Sequence, residues 1–328
     1  MPQLEVATMK KSGPVAIIGA GLAGLSCAQA LRSAGITVRV FESGPVVGGR
    51  CATRLWQGHL VDTGIQYFTA QSTEFKRELL TRLRQFRPII SPILDQDNKV
   101  VINSTGPRFY VLQGNNYFAH VLSQGIDVCL NTRVETLSFP SDGIECLGET
   151  YHAVISALPG PLTARLFNLP CAPVEYDPCI VALLEYAGND HSRECYGRVQ
   201  PENGYPLLSS HCENNKVGRV IGEKTVFVAQ ASPTFSREHA DAPSEVYLPK
   251  MISAHEKMWR IPAGQCTASF SHYWKHARPK ATTHAQVELP KGAFTCGDSR
   301  TDSTVEQVWL DGRKAAGEVI SFLASRTA

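Results

Sequence analysis

The stretch Val15-Ala16-Ile17-Ile18-Gly19-Ala20-Gly21-Leu22-Ala23-Gly24 constrains this chain more than any other. Four apolar residues bounded by a glycine-spaced turn, followed by an uninterrupted small and apolar run, read as a buried strand entering a helix. The next strand, Thr37-Val38-Arg39-Val40-Phe41, closes on Glu42. Each glycine has its own task. Gly19 permits the sharp turn, Gly21 has no Cβ to hold the backbone away from a pyrophosphate, and Gly24 lets the helix pack against the sheet. The amides at the helix start are open to phosphate. A carboxylate about 20 residues further on, at the tip of the second strand, is placed for ribose hydroxyls. Strand, turn, helix, strand and acid in register predict a dinucleotide-binding unit. The plainer alternative is an ordinary β-α-β unit with a tight turn.

Residues 15–31 carry no charge, a length near the roughly 17 residues that a membrane span needs. Three glycines, Ser26 and Gln29 interrupt the run, and a strand plus helix inside an α/β domain accounts for it. The first twelve residues, with Lys10 and Lys11, do not read as a cleavable signal, so the expected compartment is the cytoplasm. At 328 residues the chain exceeds the size at which one core keeps growing, and two domains are expected. A formal charge of +2 with 43% hydrophobic and 19% charged residues leaves no electrostatic footprint for nucleic acid or a membrane surface. The ten cysteines are scattered without a Cys-x-x-Cys pair, which points to reduced core thiols instead of disulfides or zinc. His272 and His276 have a ligand-like spacing but no nearby carboxylate or cysteine, and no metal is expected.

The order of elements predicts that the nucleotide unit is assembled from separated pieces. After the β-α-β unit come a helix over 117–123, a strand over 126–130, Val134 in the run 133–137, and a buried strand over 153–158 stopped by Pro-Gly-Pro. The last piece is the strand around Phe294 and a helix from Val305, spaced by Val308, Ala315, Val319 and Phe322. The expected division is 1–73, 107–160 and 287–328 for the nucleotide-binding domain, and 74–106 with 161–286 for a substrate domain. Alternating stretches such as Thr225-Val226-Phe227-Val228-Ala229 and Ala268-Ser269-Phe270-Ser271-His272-Tyr273-Trp274 predict a largely antiparallel sheet in the latter. The fold class expected is therefore α/β, a Rossmann-type domain joined to a second, mixed α+β substrate domain built on an antiparallel sheet.

Rossmann fingerprints serve both NAD and FAD, so residues outside the fingerprint must discriminate. Gly48-Gly49-Arg50 follows Glu42, with two glycines that permit close approach and a planar cation suited to phosphate or a flavin edge. Alone this could be a hairpin turn with a solvated arginine. In tandem with the fingerprint it resembles the Glu, Gly-Gly-Arg signature of the flavin-containing amine oxidase superfamily. Cys296-Gly297-Asp298 is similar to that superfamily's Gly-Asp element; otherwise Asp298 is a turn or capping residue. Within the superfamily the chain resembles the renalase family. Asp62-Thr63-Gly64-Ile65-Gln66-Tyr67-Phe68-Thr69-Ala70 is similar to Gly-Ala-Gln-Tyr-Phe-Thr, and Trp274-Lys275-His276-Ala277-Arg278-Pro279 to Trp-x-Tyr-Ala-Arg-Pro. Val305-Glu306-Gln307-Val308-Trp309-Leu310-Asp311-Gly312 is similar to Val-Glu-Gly-Ala-Trp-Leu-Ser-Gly. Both ends of the chain are covered, while residues 80–112 and 162–263 match in outline. His276 stands where the relatives have tyrosine, Gln307-Val308 replaces Gly-Ala, and Phe235 stands where a tryptophan is expected. These departures bear on the substrate more than on the flavin.

The resemblance implies FAD held by Gly19, Gly21, Gly24, Glu42, Gly49, Arg50, Val134, Asp298, Gln307 and Val308, the last two by amides directed at the flavin pyrimidine. It implies a flavoprotein oxidase that takes hydride from misreduced isomers of NAD(P)H and passes the electrons to molecular oxygen, giving hydrogen peroxide. Such a donor needs no general base. Gln66, Trp274 and His276 are expected to line the active-site face, with Tyr67 alternating behind it; the alternative for the aromatics is plain core, and for His276 a structural histidine. Lys275 points away from Trp274 and His276 by strand alternation, and Glu306 and Asp311 are expected to be helix-end carboxylates. Two other functions stay open. One is an FAD-dependent oxidase or desaturase of an amine or secondary metabolite. The other is a non-catalytic relative that uses the fold for binding, against which Glu42, Gly49, Arg50 and Asp298 argue.

Overall fold

The computed structural model of the chain describes residues 14–102, 106–141, 143–172, 174–188, 194–280 and 287–326. The strand Val15–Ile18 lies at the centre of a five-stranded, all-parallel sheet in the order Ala293–Thr295, Ala153–Ser156, Val15–Ile18, Val38–Phe41, Asp127–Cys129. Val15, Ala16 and Ile17 are wholly buried, as a strand covered on both faces requires. The helices Leu22–Ser33, Tyr117–Ser123 and Val305–Ser325 cover one face. Ile144, Tyr151, Leu166 and Phe167 fill the other. The helix Val305–Ser325 approaches Leu22–Ser33 so closely that a Cβ on Gly312 would lie 2.2 Å from the Ala23 carbonyl oxygen. Ser26 Oγ donates to the Trp309 carbonyl across this contact at 2.7 Å.

The second sheet has six strands in the order Cys266–Pro279, Tyr176–Ala187, Lys224–Ala231, Leu207–Cys212, Gly197–Val199, Ile93–Leu94. All its pairs are antiparallel except the last. Strand alternation gives it two different faces. Ile180, Ala182, Leu184, Phe227 and Ala229 pack under the helix Ser244–Trp259. Cys179, Val181, Leu183, Val226 and Val228 point the other way, against Val61 and Trp274. The fold class read from the sequence is thus the one the chain adopts.

One boundary differs from the sequence reading. The helix Thr73–Glu78, whose residues from Glu74 on were expected in the substrate unit, places Phe75 in the core of the nucleotide unit, with ring centroids 5.9 Å from Phe118 and 5.4 Å from Trp309. Phe75, together with Leu79 and Leu83 of the helical turn Leu79–Leu83 that follows, outweighs the charged residues between them, and all three bury where an apolar wall already exists.

The two units are joined by a buried ionic cluster. Asp62 ends the hairpin strand His59–Asp62, while Glu213, Lys216 and Arg219 follow the strand Leu207–Cys212. Lys216 Nζ lies 2.9 Å from Asp62 Oδ2 and 2.6 Å from Glu213 Oε1, and Arg219 Nη2 lies 2.9 Å from Asp62 Oδ2. All four side chains are fully buried. Burial raises the pKa of Glu213, whereas Lys216 and Arg219 overcome the same penalty at Asp62 and hold it below its ordinary value. All ten cysteines are free thiols. Among the described residues, no helix is long and apolar enough to cross a membrane.

Candidate cofactor and substrate site

The three fingerprint glycines differ in what surrounds them. Gly19 has φ +106° and a Cβ there would meet the Ala157 carbonyl oxygen at 3.2 Å, so the turn and the adjoining strand both require glycine. A Cβ on Gly24 would lie 2.2 Å from the Gly19 carbonyl oxygen. Around Gly21, by contrast, a Cβ would find no atom of the described residues within 4 Å, and its φ of −73° suits any residue. The fold itself does not need a glycine at 21.

Glu42 reaches back over this loop. Its Oε2 accepts from the Ala20 amide at 2.9 Å and its Oε1 from the Gly44 amide at 2.7 Å, which fixes the carboxylate at the strand tips. Gly48, at φ +116°, donates its amide to the Ala20 carbonyl at 2.9 Å, and Gly49 follows at φ +52°. Val134 is buried beside Ile18 and Phe41 at the same edge.

Arg50 and Asp298, 248 positions apart, form a bidentate ion pair through both guanidinium Nη atoms. Tyr176 donates its hydroxyl to Asp298 Oδ1 at 2.7 Å, and Arg50 lies over the Tyr176 ring at 5.5 Å. Burial opposes the charge on Arg50, yet the hydrogen bonds and charge of Asp298 hold its pKa above the ordinary value. Burial, then Asp298, raises that of Tyr176. Gly64 completes this corner: a Cβ there would collide with the Arg50 carbonyl oxygen at 1.8 Å.

The helix Val305–Ser325 starts next to Asp298, capped by Thr304. The amide of Gln307 donates to Thr304 Oγ1 at 3.2 Å and that of Val308 to the Thr304 carbonyl at 3.0 Å. Both amides are engaged within the helix, so those of Val305 and Glu306 are the ones left for a ligand. Glu306 accepts from the Gln71 and Ser72 amides at 2.6 Å each, and Asp311 from the Gly297 amide at 2.8 Å. Both are structural carboxylates.

The antiparallel sheet is laid over the segment from Thr63 to Tyr67. Trp274 Nε1 donates to the Thr63 carbonyl at 2.9 Å, Gln230 Nε2 to the Gly64 carbonyl at 3.5 Å, and the Tyr196 hydroxyl to the Gln66 carbonyl at 3.0 Å. Trp274 therefore sits on this face, with its ring 4.4 Å from His272. Gln66 does not extend into the face but turns back on its own segment, donating to the Asp62 carbonyl at 2.6 Å and the Gly64 carbonyl at 3.2 Å. Tyr67, expected behind the face, packs edge-on to Tyr196 and His211, at 6.3 and 6.2 Å.

His276 lies in an irregularity. Asp177 pairs with Arg278 and Cys179 with Trp274, so Pro178 alone stands opposite Lys275, His276 and Ala277. Proline cannot donate to a ladder, and the longer strand bulges. Strict alternation fails at this point. His276 turns toward Tyr176, with ring centroids 5.8 Å apart, while Lys275 is exposed. Burial, then the charges of Lys275 and Arg50, lower the pKa of His276.

Tyr176, Tyr196, His211 and Gln230 were not singled out by sequence reasoning. Nothing in their local spacing marks them; they are brought in by strand pairing across the sheet. Arg278 stood inside a recognised motif and was detectable there.

The family model for an NAD(P)-binding Rossmann-like domain matches residues 17–83. Among solved structures, the fold is similar to that of an Exiguobacterium sp. 255-15 protein to which protoporphyrinogen oxidase activity is ascribed, at 12% identity and TM-score 0.71, over 95% of this chain and 99% of that one. A reduced UDP-galactopyranose mutase is similar at 11% identity and TM-score 0.76, over 94% and 96%. A putrescine oxidase bound to putrescine is similar at 14% identity and TM-score 0.66, over 94% and 99%. At such identities the likeness is one of fold, and it extends over nearly the whole of each chain.

Proposed function

We propose that this chain is an FAD-dependent oxidase of the renalase type, taking a hydride from misreduced dihydronicotinamide isomers of NAD(P)H. The observation that carries the reading is the Arg50, Asp298 and Tyr176 cluster, which brings the Gly-Gly-Arg turn and the Cys-Gly-Asp turn into one corner beside the open space at Gly21. The residues present fit FAD. Gly21 leaves room for a pyrophosphate, Glu42 stands at the strand tips where ribose hydroxyls would lie, and Arg50, Asp298 and the first turn of the helix at Val305 border the place for the flavin end. When bound, FAD supplies a two-electron acceptor that molecular oxygen can reoxidise to give hydrogen peroxide.

The protein's own part is orientation and exclusion of water. Trp274, Val181 and Val228 give the sheet an apolar floor facing the Thr63–Tyr67 segment. A proton acceptor for an ammonium substrate is poorly provided. Lys275 is exposed, Lys216 is held between two carboxylates, and the lowered basicity of His276 makes it a weaker acceptor than a free imidazole. A dihydronicotinamide is already electron-rich and needs no deprotonation, so this face suits it better than an amine.

The test is anaerobic mixing of the purified yellow protein with borohydride-treated NAD and, separately, with a panel of amines. Faster bleaching of the flavin band by the borohydride-treated NAD is expected. Bleaching by an amine at an equal or greater rate would transfer the assignment to the amine oxidase alternative.

A further inference from the structure

The polar end of the substrate face carries more positive charge than the protein neutralises. Arg108 and Arg278 have no carboxylate partner among the described residues. Arg108 lies over the Tyr67 ring at 5.3 Å and donates to the Val101 carbonyl at 3.1 Å, while its Nε is buried without a hydrogen-bond partner. Arg278 Nη2 donates to Gln230 Oε1 at 2.7 Å, an amide that gives it a dipole and no countercharge. His211 packs on Tyr67, the ring under Arg108, and stands two residues from Ser209, which pairs with the Gln230 that Arg278 engages; it is 5% exposed, its Nδ1 buried with no partner. The imidazole has a place made for it, since a Cβ on Gly197 across the strand pair would lie 2.7 Å from its Cδ2. Each nearby carboxylate is already committed: Asp62 and Glu213 to Lys216 and Arg219, and Asp298 to Arg50.

We propose that Arg108, His211 and Arg278 form an anion subsite, and that the hydride donor of the preceding section carries a carboxylate or phosphate group bound there. Both guanidinium groups are partly withdrawn from water, and the cost of a partly desolvated cation without a countercharge is offset by an anionic ligand that supplies two charge-assisted hydrogen-bond acceptors. Both arginines also act on His211: after burial, the charges of Lys216, Arg278 and Arg108 push its pKa down to about 3. The imidazole is therefore neutral at physiological pH and offers Nδ1 as a hydrogen-bonding atom without adding charge. The same surplus disfavours a polyamine, whose ammonium groups would face two guanidinium groups.

The subsite rests on the oxidase reading for the word donor alone, and its test is a binding test. Benzoate, phenyl phosphate, benzamide and benzamidinium share a ring and differ in the charge they present. Titrated calorimetrically into the purified holoenzyme, at least one of the two anions is expected to bind tenfold or more tightly than benzamide, with benzamidinium weakest. Preference for phenyl phosphate fits the phosphates of a dihydronicotinamide dinucleotide, whereas preference for benzoate assigns the subsite to a carboxylate and overturns such a dinucleotide as the molecule bound there. Arg108→Met and Arg278→Met should each remove most of that preference, and Arg278→Lys should restore part of it. Because the ligand series is run on the unaltered protein, poor folding of a variant does not blunt the test. Benzamide or benzamidinium binding as tightly as both anions, or no anion binding at millimolar concentration, overturns the subsite. If dihydronicotinamides fail to bleach the flavin while an anion is still preferred, the donor assignment fails and the subsite stands.

Discussion

On the proposed reading, Gly21 and Gly24 separate ligand binding from folding within one motif. Gly21→Ala places a methyl in open space on a backbone that tolerates it, so stability should hold or rise by about 0.5 kcal/mol, while retention of flavin through gel filtration is lost. Gly24→Ala drives a methyl into a backbone oxygen and should cost about 3 kcal/mol or more in urea unfolding. The packing task of Gly24 was readable from the sequence because the motif fixes it by spacing. His211 was not readable, since its environment comes from three other segments. Its folded-state pKa of about 3 lies below the ordinary 6.5, so the unfolded chain binds the extra proton first as pH falls. The contribution of His211 is fully present above about pH 6.5 and declines by about 1.4 kcal/mol per pH unit below it, until the folded pKa is reached. His211→Gln should accordingly flatten the stability profile between about pH 6 and about pH 4, as followed by urea midpoints.

Elements with a simple period were legible. The parallel strands, the helix Tyr117–Ser123 and the helix Val305–Ser325 lie where apolar spacing and turn residues put them. The bulge at Lys275 to Ala277 was not, because it arises from Pro178 on the neighbouring strand and has no mark in its own segment. Pro178→Ala restores a backbone donor opposite the bulge. If the bulge sets the orientation of His276, this variant should change the pH dependence of flavin bleaching while leaving FAD content unchanged. The helix Val305–Ser325 depends on Gly312 for its seat on the first helix. Gly312→Val should cost about 3 kcal/mol and weaken FAD retention together with stability, in contrast to the separation expected at Gly21.

At the scale of the molecule, two long-range ionic contacts hold the architecture. Arg50 and Asp298 close the nucleotide unit from opposite ends of the chain, and the Asp62, Glu213, Lys216 and Arg219 cluster fixes the antiparallel sheet over it. The first contact was within reach of sequence reasoning, since both residues lie in glycine-bearing motifs. The second was not, because nothing in the local spacing of Glu213, Lys216 and Arg219 marks them for burial, which comes from the packing of the sheet. Lys216→Met leaves two buried carboxylates against one cation and should cost about 3–5 kcal/mol in chemical unfolding. The expectations for flavin retention and bleaching presuppose a dinucleotide clasped between the first and last segments of the chain. The direct measurement is the absorption spectrum of the purified protein, with chromatographic identification of the nucleotide released on denaturation. The account predicts a flavin spectrum and FAD at one equivalent per chain; a preparation that holds NAD, or that stays colourless and takes up no FAD, would contradict it.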